Sequence, residues 1–205
     1  MNLPNKFLKV DRFSTPIWHV IDPVSREDVE NVFDKVMGYH VYQSALTERK
    51  ELQFFWDYVK DKSKQFLQEM GAIIPQHQML LVACHALRGT AKELSIMSTA
   101  PHTHPESHIS GIYFVSGNAN LNHVTFIDPR TGHMCNALPC GPTYSQTSIE
   151  YTYKATPGTF IFFPSYLLHQ IIHRDFNNNC KYIHFNCRAN LNGYTIPPEE
   201  KLLLN

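Results

Sequence analysis

The residues with the clearest chemical use are two histidines in the run Pro101-His102-Thr103-His104-Pro105-Glu106. On an extended segment, positions i and i+2 project from the same face, roughly 7 Å apart along the strand. Imidazoles with that spacing can turn toward one ion, each at about 2.1 Å. A divalent metal then needs at least one further ligand from a distant strand. His169, 65 residues beyond His104, is the best candidate. Alternation sets it on one face with Leu167, Ile171 and His173. An imidazole among apolar neighbours needs a polar partner, and a metal supplies one. Three protein ligands leave positions open at the ion for small molecules. Each histidine alone also has an ordinary reading, on an exposed strand face or hydrogen-bonded in a core. The three together are what point to a metal.

The elements that must position this set are short strands. From residue 79 onward, β-rich runs alternate with turn residues: Met79–Ala86, Leu94–Ser98, Gly111–Val115, His123–Ile127, Ile149–Tyr153, Thr159–Phe163, Leu167–His173 and Lys181–Asn186. Eight short strands at such spacing predict an antiparallel barrel or two-sheet jelly roll. No helix of crossover length separates them, which argues against a parallel βαβ sheet. The first third reads helical. Ser25 caps a helix with Val29, Val32, Phe33 and Val36 on one face. A second follows Thr47 and Glu48, carries Leu52, Phe55, Trp56, Val59, Phe66 and Met70, and ends at Gly71. The expectation is a single α+β domain over residues 1–205. Residues 1–75 are its mainly helical part, packed on one sheet, 76–190 its β core and 191–205 a C-terminal tail.

Composition narrows the function. The chain has 205 residues, one domain's worth, with 43% hydrophobic and 18% charged residues, enough to bury a core. Lys+Arg and Asp+Glu both number 18, so the net charge is zero and no nucleic-acid or anionic-membrane footprint shows. Met1 to His19 holds no apolar core of signal-peptide length. The richest apolar stretch, Phe160 to Ile172, is broken by Pro164, Ser165, His169 and Gln170 and is not a membrane span. Five cysteines without C-x-x-C spacing argue against a disulfide framework or a zinc ribbon and suit a cytoplasmic setting.

Four ordered motifs then bear a family resemblance. His102-Thr103-His104-Pro105 through Ser110-Gly111-Ile112-Tyr113-Phe114 resembles the H-x-H-P…S-G-x-Y-Y segment of a 2-oxoglutarate/iron(II) oxygenase family of bacteria and phages. Asp128-Pro129-Arg130 is similar to its D-P-R, and Pro157-Gly158 through Phe163-Pro164-Ser165-Tyr166-Leu167-Leu168-His169 to its P-G-x-x-x-x-F-P-S-W-L-x-H. Phe185-Asn186 resembles its closing F-N, and Phe13-Ser14-Thr15-Pro16 weakly echoes its opening F-x-T-P. The match spans residues 79–190.

The resemblance implies a double-stranded β-helix, a cupin-like jelly roll, with Fe(II) on His102, His104 and His169. It implies 2-oxoglutarate as cosubstrate, decarboxylated to succinate while a C–H bond is oxidised. His104, Glu106 and His169 form an alternative two-histidine, one-carboxylate set. His102 with His104 is preferred because it leaves a more usual length before the Tyr113 strand. The sequence departs where the family binds the cosubstrate's distal carboxylate. The usual Arg seat falls on Cys180 and the Ser after it on Tyr182, while Lys181 points to the opposite face. Candidates for cosubstrate binding are therefore Arg188, which shares parity with Cys180, Tyr182, His184 and Asn186, together with Tyr113, Tyr182 and Arg130; Arg174 is a further donor. Two other readings stay open: a three-histidine cupin-like metalloprotein that does not use 2-oxoglutarate, and a non-catalytic phage or host-interaction module that keeps the fold. The substrate, a small molecule or a protein, is not encoded in any motif, and homo-oligomers are compatible with the sequence.

Overall fold

A computed structural model describes residues 14–21, 24–37, 42–43, 46–74, 79–89, 100–117, 122–130, 148–154, 156–173 and 180–190. In chain order these form β1 (Trp18–Ile21), α1 (Arg26–Met37), β2 (Tyr42–Gln43), two short 3-10 turns (Leu46–Glu48 and Lys50–Leu52), α2 (Gln53–Glu69), β3 (Met79–Gly89), β4 (Ile109–Ser116), β5 (Asn122–Ile127), β6 (Glu150–Lys154), β7 (Thr159–Pro164), β8 (His169–His173) and β9 (Cys180–Ala189). The expected strand Leu94–Ser98, Cys135, Cys140, Arg174 and the tail from residue 191 lie outside the described residues.

Both helices begin and end as local chemistry dictates. The Ser25 hydroxyl accepts from the Asp28 N–H at 3.3 Å, satisfying one of the first-turn donors of α1. Val29, Phe33 and Met37, four residues apart, are its buried face. The start of α2 comes later than its periodicity predicts, because the chain first turns twice between Leu46 and Leu52 and buries both leucines. Its end is a Schellman arrangement: Ala72 N donates to Leu67 O and Gly71 N to Gln68 O, both at 2.9 Å, with Gly71 at φ +90°. Phe66 lies at the margin of the core, its ring stacked 4.4 Å from Trp18 of β1.

The strands form two antiparallel sheets, a six-stranded one in the order β1-β7-β4-β9-β3-β2 and a three-stranded one in the order β6-β5-β8. Strand alternation gives the larger sheet two different faces. Tyr113 and Val115, Phe160 and Phe162, and Ile183, Phe185 and Cys187 point toward α1 and α2, meeting Phe33, Phe55, Trp56 and Val59. Ile112 and Phe114, Ile161 and Phe163, and Cys180 and Tyr182 point the other way, onto Val124, Phe126 and Leu167 of the smaller sheet and its lead-in. Pro157 and Gly158 are the central residues of the turn into β7, closed by Thr159 N to Thr156 O at 3.1 Å with Gly158 at φ +84°. The expected strand from Leu167 starts at His169 instead, since Leu167 N closes a turn onto Pro164 O at 2.9 Å. No helix among the described residues is long and apolar enough to cross a membrane.

Gly111 of β4 lies between β7 and β9 with no room for a side chain. A Cβ there would collide with the Phe185 ring and lie 2.6 Å from the Ile161 carbonyl oxygen, which backbone pairing holds in place. Gly111→Ala is expected to destabilise the protein by about 1–3 kcal/mol, read as a lower urea midpoint with the slope unchanged. An unchanged midpoint would show that the β4–β7–β9 packing is looser than described.

Candidate metal centre

His102 and His169 are brought together by main-chain pairing. His102 N donates to His169 O at 3.0 Å and His169 N to His102 O at 3.1 Å, an isolated antiparallel bridge that adds the His102 segment to the edge of β8. Directly opposed residues put their side chains on one face. His104 is set by its own N–H, which donates to Ser165 O at 2.9 Å, and Ser165 N in turn donates to His108 O at 3.0 Å. The turn before β8 is thus clamped by the histidine segment on one side and the start of β4 on the other. The ring centroids stand 4.8 Å (His102–His104), 4.6 Å (His102–His169) and 5.2 Å (His104–His169) apart. One ligand nitrogen from each lies within 4.8 Å of the other two.

The hydrogen bonds suit the rings to a metal. His102 Nδ1 lies 3.1 Å from Ala100 O and His169 Nδ1 2.9 Å from Leu167 O. A carbonyl only accepts, so each Nδ1 carries the proton and each Nε2 keeps its lone pair. The Nε2 atoms of His104 and His169 are buried without a hydrogen-bond partner, and an ion would satisfy both. His104 Nδ1 lies 3.5 Å from Asn186 Nδ2, while Asn186 Oδ1 accepts from Ser110 Oγ at 2.6 Å. Ser110 Oγ is also 2.8 Å from Ser165 Oγ. With metal on Nε2, His104 Nδ1 must donate. Turning the isosteric Asn186 amide over supplies the acceptor and leaves its NH2 to Ser110.

The same burial keeps the His104 and His169 rings neutral. Desolvation, then the nearby His102 and His85, lowers His104 to about 4. Desolvation likewise lowers His169 to about 4, with repulsion from His102 and His104 outweighed in part by its bond to Leu167 O. Neutral imidazole is the form that binds metal. Phe163 lies 4.5 Å and Phe126 6.4 Å from the His169 ring, an apolar wall on that side. Facing them from the larger sheet is His184, whose ring stands 4.7 Å from His104 and 6.4 Å from His169. Burial and the surrounding histidines push His184 well below the usual range.

The three expected ligands therefore meet, and several other expected site residues do not join them. Glu106 is exposed and outside the group, because the chain turns at Pro105-Glu106 and breaks the extended spacing that would align it with His104. Tyr113 is turned away toward α2, its ring 4.3 Å from Phe160 and 5.4 Å from Phe55. The face of β4 that looks into the cleft carries Ser110, Ile112 and Phe114 instead. Arg130 holds its own turn, donating to Asp128 from its main-chain N and from Nε, both at 2.9 Å. Arg188 is exposed at the far end of β9. Tyr182 does line the cleft, buried beside Phe114 at 6.2 Å and two residues from His184. Lys181 points the other way as alternation requires, bonding Glu30 at 2.8 Å and Asp34 at 2.9 Å on α1. Sequence reasoning assigned no part to Asn186, Ser110 or His184. The parity of β9 that picked out Tyr182 was the signal for two of them.

Residues 95–186, which include all three histidines, match the family model described as "Putative 2OG-Fe(II) oxygenase". No curated protein matches the chain by sequence. Solved structures of similar fold include the non-heme alpha ketoglutarate dependent epimerase SnoN from nogalamycin biosynthesis (11% identity, TM-score 0.59, 89% of this chain and 85% of that one). A Pseudomonas putida prolyl-4-hydroxylase is similar at 6% identity and TM-score 0.57, over 86% and 94%. HygX from Streptomyces hygroscopicus with nickel and 2-oxoglutarate bound matches at 11% and TM-score 0.53, over 85% and 82%. At these identities the likeness concerns the fold.

Two outcomes test the site. His104 and His169 sit near 4 in the folded chain against 6.5 for an unperturbed ring. Between those values the unfolded chain binds more protons, so the metal-free protein keeps its full stability above pH 6.5 and loses it as pH falls toward 4. Urea midpoints in chelator should drop steadily from pH 7 to pH 5; a flat profile would contradict the neutral cluster. Asn186→Ala should weaken metal binding about 10- to 100-fold by freeing the His104 ring. A competition titration checks this, and wild-type affinity in that variant would remove Asn186 from the site.

Proposed function

We propose that the chain is a non-haem iron(II), 2-oxoglutarate-dependent oxygenase of hydroxylase type, built on a double-stranded β-helix. The observation that carries this is the convergence of three imidazoles, each with one ligand nitrogen within 4.8 Å of the other two. Nδ1 of His102 and His169 is bonded to a main-chain carbonyl, and Nε2 of His104 and His169 is buried without a partner. The strand order supports the jelly-roll reading. With the His102 segment counted as a strand beside β8, the smaller sheet runs β6-β5-β8-segment, opposite β3-β9-β4-β7 of the larger one. The match of residues 95–186 to the oxygenase family model supports the chemistry, as does the nickel and 2-oxoglutarate held by HygX on a similar fold.

Iron on His102, His104 and His169 would, with 2-oxoglutarate and dioxygen, supply the oxidation of a C–H bond coupled to decarboxylation to succinate. The protein's own residues do the rest. The three rings would hold the ion, and three protein ligands would leave positions on it for small molecules. Ala100 O, Leu167 O and Asn186 hold those rings in the metal-binding tautomer. Phe126 and Phe163 exclude water from the His169 side, and Tyr182 offers a hydroxyl from the cleft face of β9. The substrate is a small molecule or a protein side chain reaching the open side.

A second reading, a three-histidine metalloprotein that does not use 2-oxoglutarate, is favoured by one observation. Cys180 occupies the expected carboxylate seat, and the buried polar side chains among the described residues include no Arg or Lys. Anaerobic addition of Fe(II) and then 2-oxoglutarate separates the two. The proposed function predicts one iron per chain and a weak visible charge-transfer band that appears only with both. It also predicts that His169→Ala loses stoichiometric iron. Iron without the band supports the second reading, and no bound iron contradicts both.

A further inference from the structure

We propose that His184 donates a hydrogen bond from Nε2 to the coordinating carboxylate of a 2-oxo acid bound at the three-histidine centre. The inference rests on the function proposed above and names a residue that makes the cosubstrate's site. His184 is 8% exposed, and its Nε2 is buried with no hydrogen-bond partner. Leaving such a nitrogen unpaired is costly, so a ring held this way marks a place for a ligand atom. Its orientation is restrained by His85, directly across on β3, whose ring lies 6.2 Å away and nearly parallel at 15°.

The distances say which atom. His184 stands 4.7 Å from His104, within the 4.6 to 5.2 Å that separates the three ligand rings from one another. It comes from the opposite sheet, however, and is outside the set whose ligand atoms gather within 4.8 Å. It would therefore lie beside an ion held by the three rings and within reach of a ligand bound there. A chelating 2-oxo acid places one carboxylate oxygen on the ion and leaves the other needing a donor. A ring this close to His104 reaches that oxygen in preference to a group at the far end of the ligand.

Charge makes the same choice. The buried polar side chains around the cleft include no Arg or Lys among the described residues. Arg88 and Lys181 face α1, at 3.9 Å and 2.9 Å from Asp34, and Arg188 is exposed. An anion entering the cleft would be met by the His184 imidazole and not by a guanidinium or ammonium group of the described residues. A hydrogen bond to a charged oxygen is the strong kind that a neutral donor can make.

The test uses the whole iron-loaded chain under anaerobic conditions. 2-Oxoglutarate is titrated against the charge-transfer band, and so is 2-oxobutyrate, which has the same head and no distal carboxylate. His184→Phe, which keeps the ring's bulk and removes the donor, should bind iron normally and weaken both acids by about ten- to a hundredfold. His184→Gln, which keeps an N–H, should recover most of that loss. If the Phe variant does not fold, His184→Leu carries the same expectation. Unchanged affinities, or loss of 2-oxoglutarate binding alone, would overturn the assignment, the latter by moving His184 to the distal carboxylate. Loss of iron in a folded variant would make it a metal ligand and also overturn it. If the iron-loaded wild type binds neither acid, the 2-oxoglutarate reading fails with it; failure confined to the variants leaves that reading standing.

Discussion

Two main-chain hydrogen bonds, exchanged between His102 and His169, are what the site depends on. They join positions 67 apart in the chain and convert two unrelated stretches into neighbours with a fixed register. Loop-closure entropy rises only slowly with length, so a long intervening excursion is thermodynamically tolerable once the bridge forms. Because side chains alternate, a slip of one residue would swing His169 to the outer face and replace it with Leu168 or Gln170. The adjacent clamps, His104 N on Ser165 O and Ser165 N on His108 O, guard against that slip. The sheets and helices behind them supply a stiff backing: Gly111, pressed between Phe185 and the Ile161 carbonyl, leaves the larger sheet little freedom to shift.

The electrostatics follow from this packing. Three histidines, at 104, 169 and 184, stand with ring centroids 4.7 to 6.4 Å apart in largely dry surroundings, and simultaneous protonation there would be strongly unfavourable. Burial resolves the conflict by keeping the rings neutral, which is also what coordination needs. The cleft thus has no fixed positive charge among its described residues. An ion held by the rings would supply that charge, and an anionic ligand would be drawn to it and not to a standing guanidinium. This differs from the arrangement implied by the family resemblance, in which an Arg stands where this chain has Cys180.

The three histidines that meet were legible in the sequence because their signal is local and chemical: two at strand spacing and a third on an apolar strand. Helix α1 was readable for the same reason, with a Ser25 cap and a repeating apolar face. What it left open was which face of a strand looks inward. Tyr113 and Phe114 are adjacent aromatics with opposite destinations, and only the docking of α2 against one side of β4 decides between them. Glu106 misleads because i and i+2 share a face only while the chain stays extended, and Pro105 opens a turn. Arg188 has the right parity but lies too far along β9 to be covered. His184 carries no motif, and the F-N motif that holds Asn186 does not say what its amide touches. Their roles come from lying across from residues on another sheet, and that long-range relation cannot be seen in a list of neighbours along the chain.

X-ray absorption at the iron edge of the reduced, anaerobically loaded protein tests the central claim most directly. The account predicts a shell of nitrogen and oxygen at about 2.1 Å whose multiple scattering fits three imidazoles, with no sulfur. Fewer than three imidazoles, or a thiolate in the first shell, would contradict it.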